Sequence, residues 1–148
     1  MISKNLLALY VRDLNKLKEE ISLYKNESDL WTLKGEIKNS AGNLALHLIG
    51  NLKHFIGTQL GNTGYVRNRD KEFTDKTVTR EKMTSEVSET IVVLETVFSN
   101  IKDEDLGKEY PVPFLGEKRT VDYLLLALAA HLSYHLGQIN YHRRLIGG

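Results

Sequence analysis

The chain has 148 residues, 41% hydrophobic and 26% charged, the balance of an ordinary globular domain and not of a disordered chain. Its 20 Lys and Arg against 19 Asp and Glu leave a formal charge of +1, which argues against a nucleic-acid partner held on a basic face. Cysteine is absent, so disulfides, thiolate zinc sites and a cysteine nucleophile are excluded.

The N-terminal run MISKNLLALYVRDLNK meets charge within a few residues and lacks the pattern of a secretory signal. The longest apolar run, 123–130, is far short of the roughly 20 residues that cross a bilayer. A cytoplasmic protein with no membrane partner is expected. The two prolines, Pro111 and Pro113, sit almost together and leave long stretches free to be helical.

Residues 2–25 read as a first helix, with Leu6, Tyr10, Leu14, Leu17, Ile21 and Tyr24 on one stripe. Lys16, Lys18, Glu19 and Glu20 fall mostly on the solvent side. Leu30 to Lys38 reads as a connector carrying a hydrophobic plug at Trp31. A second helix is predicted over 40–60, capped by Asn39 or Ser40 and ended by Gly61 and Gly64. Leu44, Leu48, Leu52 and Phe55 form its stripe, widened by Ala45, Ile49, Ile56 and Leu60.

The segment GNTGYVRNRDKEFTDKT, 61–77, is polar and is the longest gap between helical patterns. A structureless stretch of that length is uncommon in a compact domain and often functional. A third helix is predicted over 79–102, with Met83, Val87, Ile91, Leu94, Phe98 and Ile101 facing the core. Residues 103–114 form a second irregular connector. Thr120 can cap a fourth helix reaching Ile146, and its Tyr123 to Ala130 stretch, apolar nearly all round, is expected to be the most buried element.

Four amphipathic rods of about 30 to 40 Å pack as a four-helix bundle. The expected architecture is therefore all-α, one domain over 1–148. A crossover through 61–77 gives up-down-down-up order, with the second and fourth helices antiparallel.

The five histidines, His47, His54, His131, His135 and His142, all fall in the second or fourth helix. His131 and His135 in HLSYH are one turn apart on one face, so both can reach one metal ion. Two unpaired imidazoles on an apolar helix would be costly. HLSYH lacks the glutamate of the HExxH metalloprotease motif. His47, flanking the Leu44–Leu48–Leu52 stripe, is the candidate third ligand. Three imidazoles from two helices would leave coordination positions open, as a catalytic site requires. With those helices antiparallel, His54 and His142 lie on opposite sides of the trio, each about 10 Å along the axis. They are expected to be ordinary polar residues.

NSAGNLALHLIGNLKHF and HLSYHLGQINYHRR resemble the DinB/YfiT-like superfamily of metal-binding four-helix bundles, and GYVRNRDKEF resembles the connector of one branch of it. Many relatives carry Arg where this chain has Leu136. The resemblance implies an up-down-down-up bundle with a divalent metal, zinc or nickel, on His47, His131 and His135, in some relatives as a homodimer. It implies metal-dependent S-transfer with a small cytoplasmic thiol such as mycothiol, bacillithiol or glutathione, and so a small-molecule substrate. A thiolate of lowered pKa would attack an electrophile. A metal-dependent hydrolase, with Glu72 as a base if the loop folds over the site, and a non-catalytic metal- or ligand-binding protein stand as alternatives. No catalytic residue is assigned.

Ligating imidazoles normally give their other N–H to an amide, carboxylate or carbonyl. Asn51, one turn beyond His47, and Gln138, near His135, are candidates for that role. Arg67 and Arg69 could clamp a substrate carboxylate, against the plainer reading of a salt bridge with Asp70 or Glu72. Trp31 and Tyr65 could line a pocket mouth or plug a bundle end. Arg143 and Arg144 complement the macrodipole at the last helix's C-terminus.

Overall fold

The computed structural model describes residues 1–147. The described residues form five α-helices, four of them long, and no β-strand. Helix α1 is Ile2–Leu23. Its predicted stripe, Leu6, Tyr10, Leu14, Leu17 and Ile21, is buried, as is Tyr24 just beyond the helix. The Tyr10 hydroxyl donates to the carbonyl of Leu125, and that of Tyr24 lies 3.4 Å from the carbonyl of Ile139. Glu20 departs from expectation. It is buried, and its carboxylate accepts from Asn140 Nδ2 and Arg143 Nε, both at 2.7 Å.

A 3-10 turn, Glu27–Trp31, follows. Leu30 is fully buried, and the Trp31 ring lies so close to Gly42 that an added Cβ there would collide with it. This is the plug that the connector promised, and it docks on the start of α2.

Helix α2 is Ala41–Leu52, and Ser40 Oγ caps it by accepting from Asn43 N at 3.2 Å. The chain continues through a π turn, Lys53–Thr58, into a last turn, Gln59–Gly61. Asn62 then takes a left-handed conformation, φ 54°, and ends the helix.

Every residue of Ala41–Leu52 is buried. The element expected to be most buried, 123–130, is not: Tyr123 is 45% and Leu126 58% exposed. The reason lies in neighbours, not in composition. The later long helices pack on α2 inside the bundle, while the 3-10 turn and the short helix described next cover it outside.

That short helix, α3, is Arg69–Thr74, inside the segment read as irregular. Asn68 caps it, accepting from Lys71 N at 3.2 Å. Asn43 Nδ2 ties it to α2 by donating to the carbonyls of Glu72 and Asp75, both at 2.9 Å. Glu72 is its one buried residue.

Helix α4 is Arg80–Ser99, capped by Thr79 accepting from Lys82 N at 3.1 Å. Along α4, Lys53 pairs with Glu89, Gly57 faces Val93, and Gly61 faces Val97. Helix α5 is Val121–Ile146. Thr120 stands at its N-cap but does not cap it as expected, because its hydroxyl donates to the Asp122 carboxylate. Helix α1 packs on α4 and α5, and α2 packs on α3, α4 and α5, around one connected hydrophobic cluster. No helix among the described residues is long and apolar enough to cross a membrane.

Candidate metal centre

His47 lies on the buried helix α2, and its ring faces α5. His131 and His135 face it from consecutive turns of α5. His131 Nε2 is 3.1 Å from His47 Nε2 and 3.1 Å from His135 Nε2. One ligand atom from each ring lies within 4.8 Å of the others.

The outer nitrogens decide what the inner ones present. His47 Nδ1 is 3.0 Å from Glu72 Oε1, which only accepts, and 3.3 Å from Arg67 Nη2, which only donates; the shorter contact to the carboxylate places the proton on Nδ1, with Arg67 satisfied by Glu72 instead. His135 Nδ1 is 2.7 Å from Gln138 Oε1 and donates likewise. In their neutral forms both rings therefore aim an unprotonated Nε2 at His131 Nε2. His131 can donate one proton to one of them, which leaves the set with more lone pairs than hydrogens. A cation shared among the three satisfies all of them, so this donor set fits a divalent metal.

Electrostatics favours the ligating form. Burial, then His135, His47 and Arg67, push the His131 pKa down to about 4. Burial lowers that of His135 as well, partly opposed by its bond to Gln138.

Glu72 is the residue that sequence reasoning left as a conditional base. The loop does fold over the site, through α3, and brings this carboxylate to His47 from 25 residues away in sequence. Arg67 forks it, with Nε to Oε2 at 2.8 Å and Nη2 to Oε1 at 2.9 Å. Burial raises the Glu72 pKa, but the bonds from His47 and Arg67 outweigh it and hold the carboxyl below its ordinary range. Gly50 makes this approach feasible, because an added Cβ there would collide with Glu72 Oε2.

Residues 5–148 match a family described as a protein of unknown function, DUF1572. The chain belongs to that family. Its fold is similar to the crystal structure of a conserved protein from Enterococcus faecalis, with a TM-score of 0.73 over 99% of this chain and 97% of that one, at 15% identity. No curated protein matches the chain.

The remaining candidates in this DUF1572 chain are placed as follows. Asn51 is buried, but no hydrogen bond joins it to the cluster, and neither its Oδ1 nor His131 Nδ1 has a partner among the described residues. Arg67 is engaged by Glu72, the plainer of its two readings. Arg69 is exposed, its guanidinium 5.1 Å from the Phe73 ring, and Phe73 in turn packs 4.8 Å from the His47 ring. His54 stands on the π turn against Phe55 and is not one of the trio.

His142 is more than an ordinary polar residue. It is buried, with Nε2 donating to the Thr32 carbonyl at 2.7 Å and Nδ1 receiving the Tyr24 hydroxyl at 2.6 Å. It stitches α1, the plug connector and α5 together. A cavity of about 580 Å³ opens beside the centre, with His135 and Gln138 in its wall. Neither Arg67 nor Arg69 lines it.

Proposed function

We propose that this protein is a DinB/YfiT-like metalloprotein that holds zinc or nickel on His47, His131 and His135 and catalyses transfer to or from a small cytoplasmic thiol. The observation that carries the reading is the convergence of three Nε2 atoms with the outer protons fixed by Glu72 and Gln138. When bound, a divalent ion supplies positive charge that favours the thiolate form of a small thiol. The chain's own residues orient the site. Glu72, neutralised by Arg67, holds His47, and Gln138 holds His135. Because both oxygens of Glu72 are already engaged, this carboxylate is poorly placed as a base toward water, which favours S-transfer over hydrolysis.

The proposed bundle order is up-down-down-up. Paired contacts support it. Tyr10 with Leu125 and Tyr24 with Ile139 ascend together, as do Lys53 with Glu89 and Gly61 with Val97. The proposed assembly is a homodimer through the outer face of α5, where Tyr123, Leu126 and Ala130 lie exposed along one stripe.

Elemental analysis of untagged protein tests the centre. Near-stoichiometric metal, lost in His47→Ala, is the expected result. The loaded protein is then given glutathione with 1-chloro-2,4-dinitrobenzene, and conjugate formation is followed. Metal without thiol-dependent turnover across a panel of thiols would replace the transferase with a binding protein. No metal after reconstitution would sink both.

A further inference from the structure

We infer that the cavity beside His135 seats an amphipathic organic anion, its apolar body against α5 and its acid group met by Lys34 and Lys38. This rests on the proposed transferase and assigns its acceptor substrate. A volume of about 580 Å³ suits one small organic molecule. Leu44, Ile37, Tyr134, Tyr141 and Leu145 make the walls largely apolar. At one side the wall is His135 with Gln138, so a molecule in the cavity touches the ring that forms the centre.

The charge is one-sided. Lys34 and Lys38 line the cavity, and no described lining residue is acidic. Lys34 Nζ donates to the Leu145 carbonyl at 3.4 Å, which holds its ammonium across the rim from the connector to α5. Lys38 makes no hydrogen bond or ion pair with the described residues and is available to an incoming anion. Arg144 does not line the cavity; its guanidinium sits 5.3 Å from the ring of the lining Tyr141. Small thiols such as glutathione are polar over most of their surface and match such walls poorly. An electrophile with an apolar body and an acid group matches both the walls and the rim.

Decanoate is the probe, with decanol and decyltrimethylammonium as neutral and cationic counterparts. Binding is followed by calorimetry and by histidine ring resonances, on metal-free and zinc-loaded protein. Decanoate is expected to bind one per chain, to shift His135 and to leave His54 unmoved. Lys38→Glu should weaken it at least tenfold, and Ile37→Asp should weaken all apolar binding. Decanol should bind more weakly than decanoate and ignore Lys38→Glu.

Absence of binding, equal binding of the three head groups, or equal shifts at His54 and His135 would overturn the assignment. Displacement of decanoate by equimolar glutathione would give the cavity to the thiol and overturn it too. The metal-free arm reads the cavity whatever the histidines hold, whereas metal content in wild type and His47→Ala reads the centre. Failure of one is thereby distinct from failure of the other.

Discussion

Glu72 Oε1 accepts the Nδ1 proton of His47 across 3.0 Å while Arg67 forks both oxygens of the same carboxylate. Partners of this kind fix a ligand's tautomer and raise its basicity, and removing one typically costs about 10 to 100-fold in metal affinity. Glu72→Gln keeps the shape and removes the charge. Zinc affinity measured against a chelating dye should fall by about that factor. An unchanged affinity would remove Glu72 from the centre's support.

Gly50 and Gly137 offer a matched pair. In an exposed helix interior, Gly→Ala usually stabilises by about 0.5 to 1 kcal/mol. Gly137 has nothing within 4 Å of an added Cβ, so Gly137→Ala should raise the melting temperature. At Gly50 the same methyl group meets Glu72 Oε2. Gly50→Ala should give no thermal gain and should weaken zinc binding by displacing Glu72. Equal thermal gains in both variants would contradict the close approach.

Acid should destabilise the metal-free protein. The pKa of His131 is pushed down to about 4, so the fold favours its neutral ring. That contribution is fully present above the unfolded value of about 6.5 and is lost as pH falls toward 4. The lowered His135 acts in the same direction, and the lowered Glu72 does so below the ordinary carboxylate range. Urea midpoints of chelator-treated protein should therefore drop between pH 7 and pH 4.5. A His131 ring titrating at its ordinary value would refute this.

His142→Phe separates the structural histidine from the three candidate ligands. The ring remains, but the Thr32 carbonyl loses its donor and the Tyr24 hydroxyl keeps only its long contact to the Ile139 carbonyl. Leaving buried polar groups unpaired costs about 1 to 3 kcal/mol each. The variant should melt lower and retain full metal content. Loss of metal would place His142 in the centre.

Leu126→Glu addresses the assembly. Leu126 is 58% exposed on the outer face of α5, so the change should not disturb the core. Sedimentation should show a dimer for wild type and a monomer for the variant. A wild-type monomer at high concentration would remove the homodimer.

The bundle and the histidine trio were legible because both follow the helical period. The α1 stripe and the i, i+4 spacing of His131 and His135 need only that the segments be helices. What escaped depends on partners distant in sequence. Helix α3 has one buried residue, a glutamate, so no apolar stripe announces it. Glu20 looks solvated until Asn140 and Arg143 reach it from α5. The apolar run at 123–130 looks buried until it is clear that one side of α5 has no neighbour among the described residues.

The covering helix α3 is held to α2 by the bonds from Asn43 to the Glu72 and Asp75 carbonyls, by the bond between His47 and Glu72, and by Phe73 against the His47 ring. Its adhesion and the bond between His47 and Glu72 are thus linked, and linkage runs both ways. Whatever draws the Nδ1 proton of His47 more firmly toward Glu72 also pins 69–74 against the bundle. If the proposed centre takes up metal, amide exchange in those six residues should slow with its loading, a readout that needs no substrate in the tube.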